Sequence, residues 1–300
     1  MAELRMLVVV MVLYSGVLVA SLAGMIAVNR RVLQVSAMLL IAAVLVNTGV
    51  IVDRWIEAGR PPFKTLYETM VFVPWCVGVV SLALLVLHRL YVLLPFSAVA
   101  SVSALAWALY RPDADILNLP PALQSGWFVP HVVTYFVSYA ALFASAAVAL
   151  VGLLVWRFGA PRWLHAVVEY GDTLAERESK GEQKKAQRKS ERNKESLIDR
   201  LSLHAHDAAV FGSVTLTLGL VMGAVWGKFA WGDYWSWDPK ENWALITWLA
   251  YMVYLHLRLV SGWQGRRSLW LLIAAFGAVM FTYLGMNLLP TAGGSLHVYQ

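Results

Sequence analysis

Runs of about 20 apolar residues recur from one end of this chain to the other, and about 20 residues is the length that an α-helix needs to cross a bilayer. The sequence is 59% hydrophobic and 14% charged, whereas soluble domains are about 25% charged. We therefore predict an all-α polytopic membrane protein with about eight transmembrane helices. The predicted spans are residues 6–28, 33–52, 66–87, 91–110, 129–155, 207–227, 242–260 and 269–289.

The first apolar run also has a feature of a signal peptide, because 19-VASLA-23 resembles a cleavage site of small residues. The run is longer than the apolar part of a signal peptide, so we predict that it is an uncleaved span. Most of the 24 Lys and Arg residues fall in alternate connecting segments. The positive-inside rule then predicts both termini outside, with residues 53–65, 111–128 and 290–300 on the outer face.

Charge and composition divide the chain into three predicted regions. Residues 1–156 hold spans 1 to 5, residues 157–205 form a charged cytoplasmic segment, and residues 206–300 hold spans 6 to 8 and an outer tail. The charged segment mixes both signs and is poor in apolar residues, which is typical of a solvated helix or a disordered linker. Attraction to anionic lipid headgroups is the alternative. No nucleic-acid partner is expected.

The chain has one cysteine, Cys76, inside the third predicted span. A lone thiol cannot cycle between dithiol and disulfide, and it makes no zinc-binding motif. Any thiol chemistry near this protein must therefore come from thiol-reducing partner proteins.

Tryptophan is concentrated in one predicted outer loop. The stretch 226-WGKFAWGDYWSWDPKENW-243 holds five of the 14 tryptophans. A belt of aromatic residues at the membrane surface explains single tryptophans but not this cluster, since its indoles need not face one lipid boundary. Flat indoles on a fixed platform suit a large, flat, apolar ligand, so porphyrin is the first candidate and quinone the second.

The acidic end of this loop has the pattern of a helix start. Asp238 is a suitable N-cap, Pro239 occupies the first helical position, and Glu241 follows three residues after the cap. This pattern predicts a capping box that begins span 7. The loop is therefore expected to be a shaped aromatic hairpin that ends in a rigid helix.

Three of the seven histidines stand out by position. His131 begins span 5, where Thr134, Ser138 and Ser145 continue a polar stripe that should face the bundle interior. His297 lies in the outer tail, and two imidazoles on opposite sides of one iron is a common haem ligation. His256 lies about 26 Å along span 7 from Pro239, in the inner leaflet, where an ionisable residue is a functional candidate.

The motifs resemble those of one family. The stretch 231-WGDYWSWDPKENWALITWLAYMVYLHLR-258 is similar to the tryptophan-rich "WWD" signature of haem-handling membrane proteins. Within that group it most resembles the CcsA/ResC family of system II cytochrome c biogenesis. Further similarity lies in 60-RPPFKTLYET-69, 127-WFVPHVV-133 and the ending 296-LHVYQ-300. Two departures are Asn242, where the family commonly has Thr, and the residues after His297.

The resemblance implies roles for the residues that match. His131 and His297 would be the axial ligands of haem b at an outer site. His256 would ligate haem iron at an inner site, together with a residue of a CcsB-type membrane subunit. The indole platform that holds the porphyrin would be formed by Trp231, Trp235, Trp237 and Asp238.

The same resemblance implies a function as the haem-handling subunit of a cytochrome c synthase. Haem would cross the membrane and be presented to the CxxCH segment of apocytochrome c, where thioether bonds form between haem vinyl groups and the two cysteines. Two alternatives stay open: a CcmC-like carrier that passes haem to a chaperone, and a transporter of another apolar ligand. The implied location is the bacterial cytoplasmic membrane, with the thylakoid membrane as the alternative.

Overall fold

The computed structural model describes residues 2–110, 116, 118–161, 163, 164 and 183–285. Every regular element in these ranges is helical, which confirms the predicted all-α class. Two short elements are a 3-10 helix, Pro121–Gln124, and a π-helical turn, Phe281–Gly285. The α-helices are α1 (Ala2–Ile26), α2 (Arg30–Ala58), α3 (Leu66–His88), α4 (Leu93–Tyr110), α5 (Phe128–Phe158), α6 (Gln183–Trp231), α7 (Pro239–Leu259) and α8 (Arg266–Met280).

Seven of these helices, all except α7, are long and apolar enough to cross a membrane. The last of the seven spans consists of α8 together with the π-helical turn that follows it. This agrees with the predicted polytopic architecture. Helix α7 forms where span 7 was predicted, but it carries polar residues at both of its ends, among them Lys240, Glu241 and Arg258. The outward orientation of the two termini stays a prediction.

Helix α6 is longer than span 6 of the sequence prediction. It runs without a break from Gln183 to Trp231, so the predicted boundary between residues 205 and 206 falls inside one helix. Its apolar part begins at Leu197. Residues 165–182 of the predicted charged segment lie outside the described residues, and the three-region division stays a prediction.

Capping residues fix where two of the helices begin. Thr65 and Glu68 form a capping box at the start of α3, and Asp238 and Glu241 form another at the start of α7, where Pro239 occupies the first helical position. The second box confirms the prediction made from the sequence. Each box satisfies backbone N–H groups that would otherwise lack partners.

A buried group of charged residues joins the first three helices. The guanidinium of Arg60 donates two hydrogen bonds to the Glu68 carboxylate, at 2.9 and 3.0 Å. Arg54 lies 3.6 Å from the same carboxylate and 3.2 Å from Glu3 on α1. Because unpaired buried charges are costly, these pairings hold the segment before α3 in one conformation.

Helix α5 lies at the centre of the bundle and packs against α3, α6 and α8. The hydroxyls of Ser138 and Ser145 donate to the α6 carbonyls of Gly212 and Ala205, each at 2.7 Å. Both serines are fully buried, so the polar stripe faces the interior as predicted. These bonds recur every seven residues on both helices, which is the spacing at which two packed helices keep the same faces in contact.

Candidate functional site

A cavity of about 380 Å³ lies where α5 begins and α6 ends. Typical ligand pockets have volumes of about 300–1,000 Å³, and the volume of this cavity lies in that range. Its wall is rich in aromatic side chains, and it brings together three of the residues singled out from the sequence: His131, Trp231 and Trp235. The segment before α3 adds Phe63 and Lys64, which the buried Glu68 group holds in place.

The His131 imidazole continues the seven-residue series of contacts between α5 and α6. Its Nδ1 lies 2.9 Å from the carbonyl oxygen of Gly219, seven residues beyond Gly212 on α6. A carbonyl oxygen only accepts hydrogen bonds, so Nδ1 carries the proton of the neutral ring and Nε2 carries the lone pair. A backbone acceptor behind one nitrogen is the usual way in which proteins orient a metal-binding histidine.

Close packing fixes the plane of the His131 ring. The ring centroid lies 4.8 Å from that of Tyr135 and 5.5 Å from that of Trp226. A Cβ atom added at Gly223 would lie 2.6 Å from the imidazole Cε1, so the histidine occupies space that any larger residue on α6 would fill. The absence of a side chain at Gly223 is therefore part of the site.

Trp226 is a site residue that the sequence reasoning did not single out from the cluster. It is 3% exposed, its Nε1 donates to the Ala122 carbonyl at 2.9 Å, and its ring meets Trp231 edge-on at 4.8 Å. It lies seven residues after Gly219, on the face of α6 that contacts α5. That seven-residue spacing is the sequence signal that could have identified it.

The tryptophan-rich loop divides its residues between the cavity and the surface. Trp231 and Trp235 line the cavity, and the buried Nε1 of Trp235 has no hydrogen-bond partner among the described residues. Trp237 is 69% exposed and is not among the lining residues. Asp238 is buried as the cap of α7 and does not line the cavity either.

Polar contacts hold the loop in shape. The Glu241 carboxylate accepts from the backbone N–H groups of Ser236 and Asp238, at 2.9 and 3.2 Å. The Asn242 amide donates to the Trp237 carbonyl at 3.0 Å, and Trp237 has a φ of 59°, which is uncommon for a residue other than glycine. Asn242, a departure from the resembled family, thus stabilises an unusual backbone conformation.

Two amines lie in the cavity wall. Lys64 donates through Nζ to the Asn118 carbonyl at 2.9 Å, and Lys240 lies in the first turn of α7, ahead of the predicted span. Burial lowers the pKa of the Lys240 amine to about 8, while the nearby Asp238 carboxylate opposes that shift. A cation in the cavity wall favours an anionic group on any ligand that enters.

The other two predicted iron ligands are His297 and His256. His297 lies outside the described residues. His256 is exposed on α7 and is not among the lining residues. It lies twelve residues beyond Ala244, a lining residue, which corresponds to about 18 Å along the helix.

A second cavity of about 510 Å³ lies among α3, α4, α5 and α8, and its wall is almost entirely apolar. It shares Phe136, Tyr139 and Tyr283 with the first cavity. Their rings pack against one another with centroids 5.5 to 6.4 Å apart, so an aromatic partition separates the two spaces. Sequence reasoning missed this partition, although Tyr139 lies two helical turns from His131 on the same face.

Comparison with known proteins connects this chain to one family. The family model described as "Cytochrome C assembly protein" matches residues 63–292. A protein named cytochrome c biogenesis protein CcsA from Synechococcus sp. (strain JA-3-3Ab) is 36% identical over 292 residues, covering 87% of this chain and 83% of its own. The CcsA protein of Chlorella vulgaris is 36% identical over 258 residues, covering 82% and 79%.

A solved structure has the same fold. The chain of a cytochrome c haem lyase, CcmF, matches 93% of this chain with a TM-score of 0.62 and 16% sequence identity. The present chain spans 46% of that lyase chain. At this identity the similarity concerns the arrangement of helices alone.

Proposed function

The chain belongs to the cytochrome c assembly protein family, and we propose that it binds haem b in the aromatic cavity and presents it for covalent attachment to apocytochrome c. The observation that carries this proposal is the oriented imidazole of His131 in that cavity. The Gly219 carbonyl holds the proton on Nδ1, so Nε2 has the lone pair that ferrous or ferric iron requires.

The rest of the cavity fits a porphyrin. Haem is a flat, largely apolar ring with two carboxylate side chains, so it needs aromatic walls together with a few cations. Trp231 and Trp235 would supply the aromatic surface, and Lys64 and Lys240 would supply amines for the carboxylates. The buried Nε1 of Trp235 is a further donor for a ligand oxygen.

The second axial ligand and the inner site rest on the resemblance. His297 would complete bis-histidine ligation at the outer site. His256 would ligate haem on its way across the membrane, with the other ligand supplied by a CcsB-type subunit. Its place on α7 supports this role, because the exposed face also carries Ile246, Leu249 and Val253. A histidine on an otherwise apolar membrane face calls for a polar partner.

Attachment requires alignment more than acid or base catalysis. Each thiol of the CxxCH segment adds across one vinyl group: sulfur bonds to the vinyl carbon next to the ring, and the thiol hydrogen ends on the outer carbon. Two thioethers form with no net oxidation, provided that partner proteins keep the cysteines reduced. Holding haem and peptide in one geometry supplies much of the rate.

We place this activity in a multi-pass protein of the bacterial cytoplasmic membrane, with the thylakoid membrane as the alternative. Haem would enter from the inner side and reach the outer cavity, where the apocytochrome segment docks. The predicted outward position of the tryptophan-rich loop supports this direction.

Replacing His131 and His297 together by alanine should abolish the low-spin haem spectrum of the purified protein and the formation of covalent cytochrome c. Either replacement alone should lower haem occupancy without abolishing it, because one of the two axial ligands remains. Visible spectra of the oxidised and reduced protein and a haem stain of cytochrome c measure these outcomes. Replacing His206, which is hydrogen-bonded to the Tyr254 hydroxyl, is the matched control. It should leave the haem spectrum and the amount of covalent cytochrome c unchanged.

The same measurements separate the alternatives. Full haem occupancy in the double variant would remove the outer-site proposal. Haem binding without covalent cytochrome c, even with the CcsB-type subunit present, would favour a carrier that delivers haem to a chaperone. Purified protein without any Soret absorbance would favour transport of another apolar ligand.

Haem affinity should decrease as the pH rises above about 8. The Lys240 amine is charged below its pKa and neutral above it, and only the charged form attracts the haem carboxylates. Losing one charge-assisted contact should weaken binding by roughly three- to tenfold. Titrations of haem binding at pH 7 and pH 9 measure this change. Lys240→Arg is the control, because it stays charged and should remove the pH dependence.

A further inference from the structure

A cluster of potential metal ligands lies far from the aromatic cavity, at the opposite end of the bundle. It consists of His88, the last residue of α3, with His204 and Asp207 of α6. His204 lies fifteen residues before Gly219, which corresponds to about 22 Å along α6. No step of the proposed haem chemistry uses these three residues.

The ligand atoms of the cluster converge. One nitrogen of each histidine and one oxygen of Asp207 lie within 4.8 Å of one another. The two imidazole centroids are 5.1 Å apart with the rings inclined by 60°. Two imidazoles bound at a tetrahedral angle, each with its nitrogen about 2 Å from one ion, would also have centroids roughly 5 Å apart.

The backbone presents these side chains in a suitable way. His204 and Asp207 are three residues apart and therefore lie on the same face of α6, a spacing that helical bundles use for metal ligands. His88 comes from a different helix, and both α3 and α6 pack against α5. An ion held by all three would link the end of α3 to the middle of α6, two helices that flank the central one.

One nitrogen in this cluster lacks a hydrogen-bond partner in the part of the chain that the structure describes. Nδ1 of His204 is buried and has no hydrogen-bond partner among the described residues. Buried polar atoms nearly always have partners, so an exception indicates a missing water or ion. The imidazole of His88 and the carboxylate of Asp207 nearby make a cation a suitable partner for the His204 ring.

We propose that His88, His204 and Asp207 bind a divalent transition-metal ion of the Zn²⁺ class. Two imidazoles and one carboxylate are a common ligand set for such ions, and the exposed Asp207 leaves a position for water. The rings are too close together for a porphyrin to lie between them. This site is thus distinct from the haem sites, and it does not depend on the proposed haem function.

The test uses the full-length protein in detergent, purified through a tag without histidines and incubated with Zn²⁺. We expect one retained Zn²⁺ per chain after gel filtration, with X-ray absorption at the zinc edge indicating two imidazole ligands. His88→Gln, His204→Gln and Asp207→Asn should each weaken Zn²⁺ binding by at least about tenfold. Asp207→Asn is exposed and nearly isosteric, so it should not disturb folding.

His206→Gln is the matched control. It lies two residues from His204 on the same helix, but its Nδ1 lies 3.1 Å from the Tyr254 hydroxyl, on the side facing α7. This variant should bind Zn²⁺ like the wild type. The proposal is overturned if the wild type retains no Zn²⁺ at micromolar concentration, or if His88→Gln and His204→Gln bind Zn²⁺ as tightly as His206→Gln. Haem occupancy, measured on the same samples, reports on the outer site separately.

Discussion

Gly223→Ala should lower the haem affinity of the purified protein by about 10- to 100-fold, although position 223 has no side chain that could touch iron. The added Cβ would lie 2.6 Å from Cε1 and 2.8 Å from Nδ1 of His131. Since the Ser138 and Ser145 hydroxyls are hydrogen-bonded to α6 carbonyls and hold the two helices together, the imidazole must move rather than the helices. That movement breaks the bond from Nδ1 to the Gly219 carbonyl and turns Nε2 away from the cavity.

The control for this variant is Gly277→Ala. Gly277 is also helical, and an added Cβ there would meet nothing within 4 Å. It should leave haem affinity unchanged and should slightly stabilise the helix, because alanine is a better helix former than glycine. Equal haem affinities for the two variants would show that packing at position 223 does not set the orientation of His131.

Glu68→Gln should lower the free energy of unfolding by about 3–5 kcal/mol, because it removes the carboxylate that neutralises two buried guanidinium groups. The Glu68 side chain is fully buried, and those of Arg54 and Arg60 are 4% and 8% exposed. Glutamine has nearly the same size, but its NH₂ group would face guanidinium donors. Chemical unfolding in mixed micelles, followed by circular dichroism, measures the change.

Glu57→Gln is the matched control, since Glu57 is exposed near the end of α2 and should change stability by less than about 0.5 kcal/mol. Haem occupancy should also fall in Glu68→Gln, because the segment that Glu68 holds carries Phe63 and Lys64 into the cavity wall. A Glu68→Gln protein as stable as Glu57→Gln would mean that the buried pairs contribute little net stability.

The tryptophan-rich loop shows which features the spacing of residues can predict and which it cannot. The capping box of Asp238 and Glu241 was predictable, because capping depends on residues within one turn of each other. Which indoles face the cavity was not predictable. Trp235 and Trp237 lie two residues apart, yet their rings are nearly perpendicular, and only Trp235 lines the cavity. The positive φ of Trp237 turns the chain between them.

The residues of the cavity wall show the same division. His131 was found from the sequence because it is an ionisable residue at the start of an apolar helix, with a polar stripe below it. Lys64 was not found, because its place in the wall depends on an ion-pair group that includes a glutamate from α1. The cluster of His88, His204 and Asp207 was also missed, since its members come from two helices more than 100 residues apart along the chain.

By itself the sequence determined the helical class, the membrane location of the apolar runs, the start of α7 and the concentration of aromatic rings in residues 226–243. These follow from composition and from contacts within a few residues, which the order of residues alone dictates. The tertiary structure decided which helix faces meet, and with them the hydrogen bond that joins His131 to Gly219 across 88 residues. A seven-residue repeat specifies the face of its own helix, whereas the partner of that face is selected by the packing of the whole bundle.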